Sequence, residues 1–183
     1  QRPEMVILWA GYAFAKDYKA PRGHIYAPAD ERNSLRTGCA ENPVCRPQPC
    51  TSCACRSLDV PRMMNESGIE NFYKTAWGDL GSEIVNPIGC ADCHDPVTMN
   101  LTITRPALIE AFERQGRDIK DATTQEMRTL VCAQCHVEYH FKGEGKYLNF
   151  PWDKGFTVED MEAYYDSIQF TDWTHSLSKA CPL

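Results

Sequence analysis

The chain has no long apolar run: its longest nearly uncharged stretch, MVILWAGYAFA from Met5 to Ala15, falls well short of the ~20 residues a membrane helix needs. That stretch reads instead as buried structure. There is no basic block either, and with a net charge of -6 and 24% charged residues the composition is that of an ordinary soluble globular protein. Neither a disordered chain nor a nucleic-acid binder has this balance. Strand-like alternation is scarce, and no internal repeat stands out beyond the cysteine motifs described below. The chain begins QRPEMV, without an initiator methionine or a charged-then-apolar leader, which predicts a mature product or a fragment. A length of 183 residues suits one domain with a real core and is short for two, so residues 1–183 are expected to form one.

What the chain does have is cysteine, ten of them: Cys39, Cys45, Cys50, Cys53, Cys55, Cys90, Cys93, Cys132, Cys135 and Cys181. Such a number needs a chemical reason. Residues 1–62 hold five of these and seven of the twelve prolines, which predicts a mostly irregular backbone with few long helices. Further on the pattern turns helical. Pro106 suits a first turn, and Leu108, Ile109 and Phe112 form an apolar stripe before Gly116. A second helix is predicted from Thr123, with Glu126 completing a capping box and Met127, Leu130 and Val131 following. A third has Thr157 and Asp160 as its box, with Met161, Tyr164, Tyr165 and Ile168 at i, i+3, i+4 and i+7. The expected class is mainly α, with an irregular, Pro-rich N-terminal third.

Two segments carry recognisable chemistry. GCADCHDP places Cys90, Cys93 and His94, and VCAQCHVEY places Cys132, Cys135 and His136, in the same CxxCH order, which is the attachment signal for a c-type haem. Two thiols can form thioethers with the haem vinyl groups, and the next residue then offers an imidazole to the iron. On a helix, Cys132, Cys135 and His136 share one face. Chance would produce roughly 0.015 copies of the pattern in a chain of this composition, so two copies are a strong signal. The rival is a four-cysteine zinc site, but the 38 residues between Cys93 and Cys132 exceed the usual spacing of the two knuckles. A haem ring would also supply core that the Pro-rich first third cannot build from side chains, and covalent haem favours an exported protein.

The stretch from IGCADCHDP to SLSKA, with LWAGYAFAKDYKAPRGHIYA and RNSLRTG upstream, resembles the pentahaem cytochrome c nitrite reductase family, periplasmic enzymes that form ammonia. The resemblance implies a multihaem c-type cytochrome core in which five haems form a wire and nitrite takes up six electrons at a haem whose axial ligand is lysine. It implies that His94 and His136 are proximal ligands of the second and third haems, and that His24, in PRGHIY, is the distal ligand of the third. It makes Arg36, in LRTG, the active-site arginine. Glu138 and Tyr139, in CHVEY, would bind a calcium ion beside the active haem, with Tyr139 also lining the substrate pocket. A guanidinium suits an anion such as nitrite, a phenol can donate a proton as N–O bonds break, and a carboxylate suits a hard cation. His140 and His175 match no ligand of that family and read as ordinary polar residues.

The same resemblance exposes departures. In PQPCTSCACRS, matched by spacing, Cys50 and Cys53 are the CxxC of the first, catalytic haem, and Ala54 then stands where the lysine belongs. Matched instead on SLDVPR, Cys55 is the second cysteine, Ser52 replaces the first and Arg56 replaces the lysine. Alanine cannot ligate iron, and a guanidinium offers no lone pair at ordinary pH. The family continues past LSKA into a Lys-x-Gln-His segment that completes the calcium site, whereas this sequence reads CPL to Leu183, so an N-terminal or middle fragment is expected. The implied cofactors are two haems c, a third at Cys50 and Cys53, and calcium. The implied partners are nitrite and a multihaem electron donor, either a membrane quinol dehydrogenase or a soluble cytochrome, with no nucleic acid. The family forms a homodimer through C-terminal helices. The implied location is the periplasm, and the alternative function is a noncatalytic electron-transfer cytochrome that has lost its lysine.

Overall fold

The computed structural model describes residues 23–32, 57–80 and 82–170. Arg36, Cys50 and Cys53 lie outside these residues, as do Cys39, Cys45, Cys55, Cys181, His175 and the Met5–Ala15 run. The described chain is helical with little sheet. A 3-10 turn, His24–Tyr26, leads into α1 (Ala27–Arg32). Then come α2 (Val60–Ser67), α3 (Ile69–Lys74) and α4 (Trp77–Leu80). After the segment that carries Cys90, Cys93 and His94 come α5 (Pro106–Arg114) and α6 (Thr124–Ala133). A short hairpin, β1 (His140–Lys142) and β2 (Tyr147–Asn149), precedes α7 (Val158–Ile168).

The three helices expected from the sequence form where their local signals lie. Pro106 occupies the first turn of α5, where its missing N–H costs nothing. Thr123 caps α6 and Thr157 caps α7; each hydroxyl accepts from the N–H three residues on, and Glu126 or Asp160 reaches back to the cap. These boxes satisfy N–H groups that have no partner within the helix. The stripe of α5 is buried at Leu108 and Phe112, and that of α7 at Tyr164 and Tyr165. Ile168, the last of the α7 stripe, is 47% exposed. The helix ends there in a left-handed Gln169 (φ 53°), and Phe170 turns back to lie 5.0 Å from the His140 ring.

The core joins α2 and α3 to α5 and the hairpin. Val60, Phe72, Leu108, Ala111 and Phe150 are each no more than 1% exposed, and burying a side chain such as Leu108 contributes about 1.5–3 kcal/mol. The hairpin pairs His140 with Asn149, Phe141 with Leu148 and Lys142 with Tyr147, and β2 packs on α3 and α5. Tyr147 meets Tyr73 of α3 edge-on at 5.0 Å and donates a 2.6 Å hydrogen bond to Glu110 of α5. Buried Asp59, at the start of α2, accepts from the N–H groups of Val85 and Asn86 and from the Asn86 amide. Burial alone would raise its pKa, but these bonds and one from Ser57 outweigh it and leave the carboxyl lowered. The loop leading to the first CxxCH segment is thereby fixed to the core.

Candidate haem-binding site

The two CxxCH segments adopt one local backbone. In the first, Cys90–Asp92 form a 3-10 turn, and the Cys90 carbonyl accepts from the N–H groups of Cys93 (3.2 Å) and His94 (2.8 Å). In the second, α6 ends at Ala133, yet the Cys132 carbonyl accepts in the same way from Cys135 (3.1 Å) and His136 (2.9 Å). The helix expected to carry all three residues thus stops at Ala133, and one further hydrogen-bonded turn carries Cys135 and His136. A single acceptor oxygen in each segment holds two thiols and an imidazole in fixed order.

None of the four cysteines is in a disulfide, and Cys90 and Cys132 are exposed while Cys93 and Cys135 are half-buried. Burial pushes the Cys93 thiol up, and the nearby charges of Asp92 and Cys132 add to this against the opposing effect of Arg105. Among the described residues no three His, Cys, Asp or Glu side chains converge to hold a metal ion, so the two cysteine pairs do not close into one four-thiolate centre.

The histidines fit an axial role. His94 Nδ1 lies 2.8 Å from the Met99 carbonyl; since a carbonyl only accepts, that nitrogen carries the proton and Nε2 keeps the lone pair a metal needs. The His24 and His136 rings, from segments far apart in the chain, stand with centroids 6.0 Å apart and planes inclined at 33°. Two imidazoles on opposite sides of one metal, at bonds of about 2.0 Å, have centroids about 6 Å apart. The donor set of paired cysteines outside any disulfide, an oriented imidazole and a second imidazole at this separation fits haem c.

Glu138 and Tyr139 sit between α6 and β1. Glu138 is exposed, and one carboxylate oxygen accepts a 3.0 Å hydrogen bond from the Tyr165 phenol of α7. Tyr139 is half-buried and meets the Phe141 ring edge-on at 5.6 Å. Within the described residues these two are the only members of the expected calcium set. His140, read as an ordinary polar residue, is 3% exposed, stacks on Tyr164 and is bonded to its hydroxyl at 3.0 Å.

A layer of buried polar residues behind the two segments had no signal in the motif itself. Asp92 and Gln134, the second variable residues of the two motifs, are each 2% exposed, as is Arg105. Arg105 Nη2 donates to Asp92 Oδ1 at 2.6 Å and to the Ser57 carbonyl at 2.9 Å, and Nη1 donates to the Thr104 hydroxyl at 2.7 Å. Asp92 Oδ2 accepts from Gly89 N–H at 2.8 Å. The Gln134 amide donates to the Asp92 carbonyl at 2.9 Å and to the Val131 carbonyl at 3.1 Å, and its oxygen accepts from Thr104 N–H at 3.1 Å. The one hint in the sequence was a charged residue, Arg105, directly before the buried stripe of α5.

Paired thiols beside oriented imidazoles on a mainly helical frame define a multihaem c-type cytochrome. The family model of cytochrome c552 matches residues 1–183, and the chain belongs to that family. It is 69% identical over 179 residues to cytochrome c-552 of Parabacteroides distasonis and 67% identical over 180 to that of Bacteroides fragilis, in each case over 98% of this chain and 36% of the relative. It thus spans little more than a third of those relatives. Among solved structures it is similar to the cytochrome c nitrite reductase of Desulfovibrio desulfuricans, at 34% identity and a TM-score of 0.78, over 96% of this chain and 40% of that one. The catalytic subunit of that enzyme is described with two calcium sites. The present chain is accordingly part of a multihaem cytochrome of the cytochrome c552 family.

Proposed function

We propose that this chain serves the six-electron reduction of nitrite to ammonia, as part of a periplasmic multihaem cytochrome c nitrite reductase. The observation that carries the reading is the pair of CxxCH segments, outside any disulfide and sharing one backbone hydrogen-bond pattern, the second facing His24 across 6.0 Å. In this reading Cys90, Cys93 and His94 hold one haem, and Cys132, Cys135 and His136 hold another with His24 on its far side. Cys50 and Cys53 hold a third. Bound haem supplies one-electron redox chemistry to the site. Arg36 attracts and orients the nitrite anion, and Tyr139 donates a hydrogen bond or proton to its oxygens. Glu138 and Tyr139 contribute to a calcium site, with the Tyr165 phenol orienting the Glu138 carboxylate. Electrons come from a membrane quinol dehydrogenase or a soluble cytochrome.

A second reading is supported by the residue after Cys53, which is Ala54 rather than lysine: a noncatalytic electron-transfer cytochrome. Purified haem-loaded protein, supplied with an artificial low-potential donor and nitrite, separates the two. One ammonia per six electrons is expected for the reductase. Haem that is reduced and reoxidised without ammonia formation would favour the electron carrier, and the lack of covalent haem in a pyridine haemochrome spectrum would overturn both.

A further inference from the structure

We infer that Gln134, with Asp92, Thr104 and Arg105, is a positioning device that fixes the two haem-attachment segments relative to one another and so sets the geometry for electron transfer between their haems. The inference rests on the haem reading above. Attachment chemistry requires the two cysteines and the histidine of each motif, and nothing from the residues between them. Yet Asp92 and Gln134, which occupy the same place in the two motifs, are both buried and meet directly: the Gln134 amide donates to the Asp92 carbonyl at 2.9 Å. Thr104 is the strut between them, its N–H donating to Gln134 Oε1 at 3.1 Å and its hydroxyl to the Asp92 carbonyl at 3.2 Å. Arg105 closes the rear of the first segment through the 2.6 Å ion pair with Asp92. The strut is itself laid along the first motif, since Thr102 N–H donates to the Cys93 carbonyl at 2.9 Å.

Covalent attachment ties each ring to its own segment, so the relative placement of the segments is passed to the rings. The hydrogen bonds among these buried side chains limit how far the two segments can move relative to one another. Electron exchange between two redox groups depends steeply on their separation and orientation, and contacts that lock the segments therefore act on the exchange rate without touching either iron. Gln134 is uncharged and bridges the motifs, so its loss breaks the cross-link while leaving the Asp92–Arg105 pair intact.

The test compares the haem-loaded chain with Gln134→Met, which keeps side-chain bulk but no amide, Gln134→Glu, which keeps the acceptor but loses the donor to Asp92, and Ala91→Ser as a control at an exposed motif position. Haem per chain by pyridine haemochrome is read first; wild type without covalent haem means that the haem reading itself has failed. Interhaem electron exchange after flash photoreduction is read second. The expected result is unchanged haem content in the Gln134 variants, with an exchange rate altered at least threefold, and a wild-type rate in Ala91→Ser. A Gln134 variant with full haem content and the wild-type rate would overturn the inference. Loss of haem or of the fold from both Gln134 variants also overturns it, because the contacts then serve attachment or stability rather than placement.

Discussion

A single side chain, His140, shows how burial turns an ordinary residue into a pH-dependent one. Burial first, then the positive charges of Lys142 and Arg114, push its pKa down to about 4 against a partial opposing effect of Asp153. The folded chain therefore keeps the ring neutral while the unfolded chain takes up a proton as pH falls through about 6.5. Stability from this group is complete above that pH, declines as pH falls, and is gone near pH 4. At about 1.4 kcal/mol per pH unit the loss amounts to at most roughly 3 kcal/mol. We expect His140→Gln to destabilise the chain at pH 7 and much less at pH 4.5, measured by urea unfolding; a penalty equal at both would count against this account. None of this was legible in the sequence, because a lone histidine carries no periodic signal and its neighbours Tyr164 and Asn149 come from other elements.

At the scale of the element, α6 matters most because it delivers Cys132. Its start is held by the Thr123 and Glu126 box. The backbone N–H of Thr123, and then its hydroxyl, hold the Glu126 carboxyl below the usual range, so the box is intact at neutral pH and is lost as pH falls through that lowered value. Thr123→Ala should cost about 1 kcal/mol, read as a lower urea midpoint with an unchanged slope; an unchanged midpoint would show that the cap contributes nothing. Both capping boxes and the three apolar stripes were legible because the residues that write them lie within a few positions of one another. The hairpin was not. Its strands are three residues each, too short for alternation to show, and they are held by long-range packing of Leu148, by the Tyr147 ring against Tyr73 of α3 and by its hydrogen bond to Glu110 of α5 rather than by strand propensity. The CxxCH segments were legible in composition and, in the second, only partly in conformation, since the helix stops before Cys135 and a carbonyl rather than a helix preserves the spacing.

At the scale of the whole molecule, part of the exposed surface among the described residues lies beside the attachment motifs. Val97 and Met99, on the loop that follows His94, are 88% and 61% exposed, and the Cys90 and Cys132 thiols are open beside the same core. In chain made without haem, Cys90 and Cys132 should be alkylated rapidly and Cys93 and Cys135 more slowly; in haem-loaded chain all four should be blocked, as read by mass spectrometry of the peptides. Equal labelling in the two preparations would dissociate these thiols from haem. The buried layer behind the segments remained invisible to sequence reasoning because its members lie up to 42 residues apart and become neighbours only once the core has formed. One of its details bears on how such a chain can change over evolutionary time. Position 92 enters the cross-link through its main-chain oxygen, which every residue carries, whereas position 134 enters through an amide that only glutamine or asparagine possesses. Mutational drift at these two equivalent motif positions is thus constrained by different forces: at 92 by the need to neutralise a neighbouring guanidinium, and at 134 by the reach and chemistry of the side chain itself.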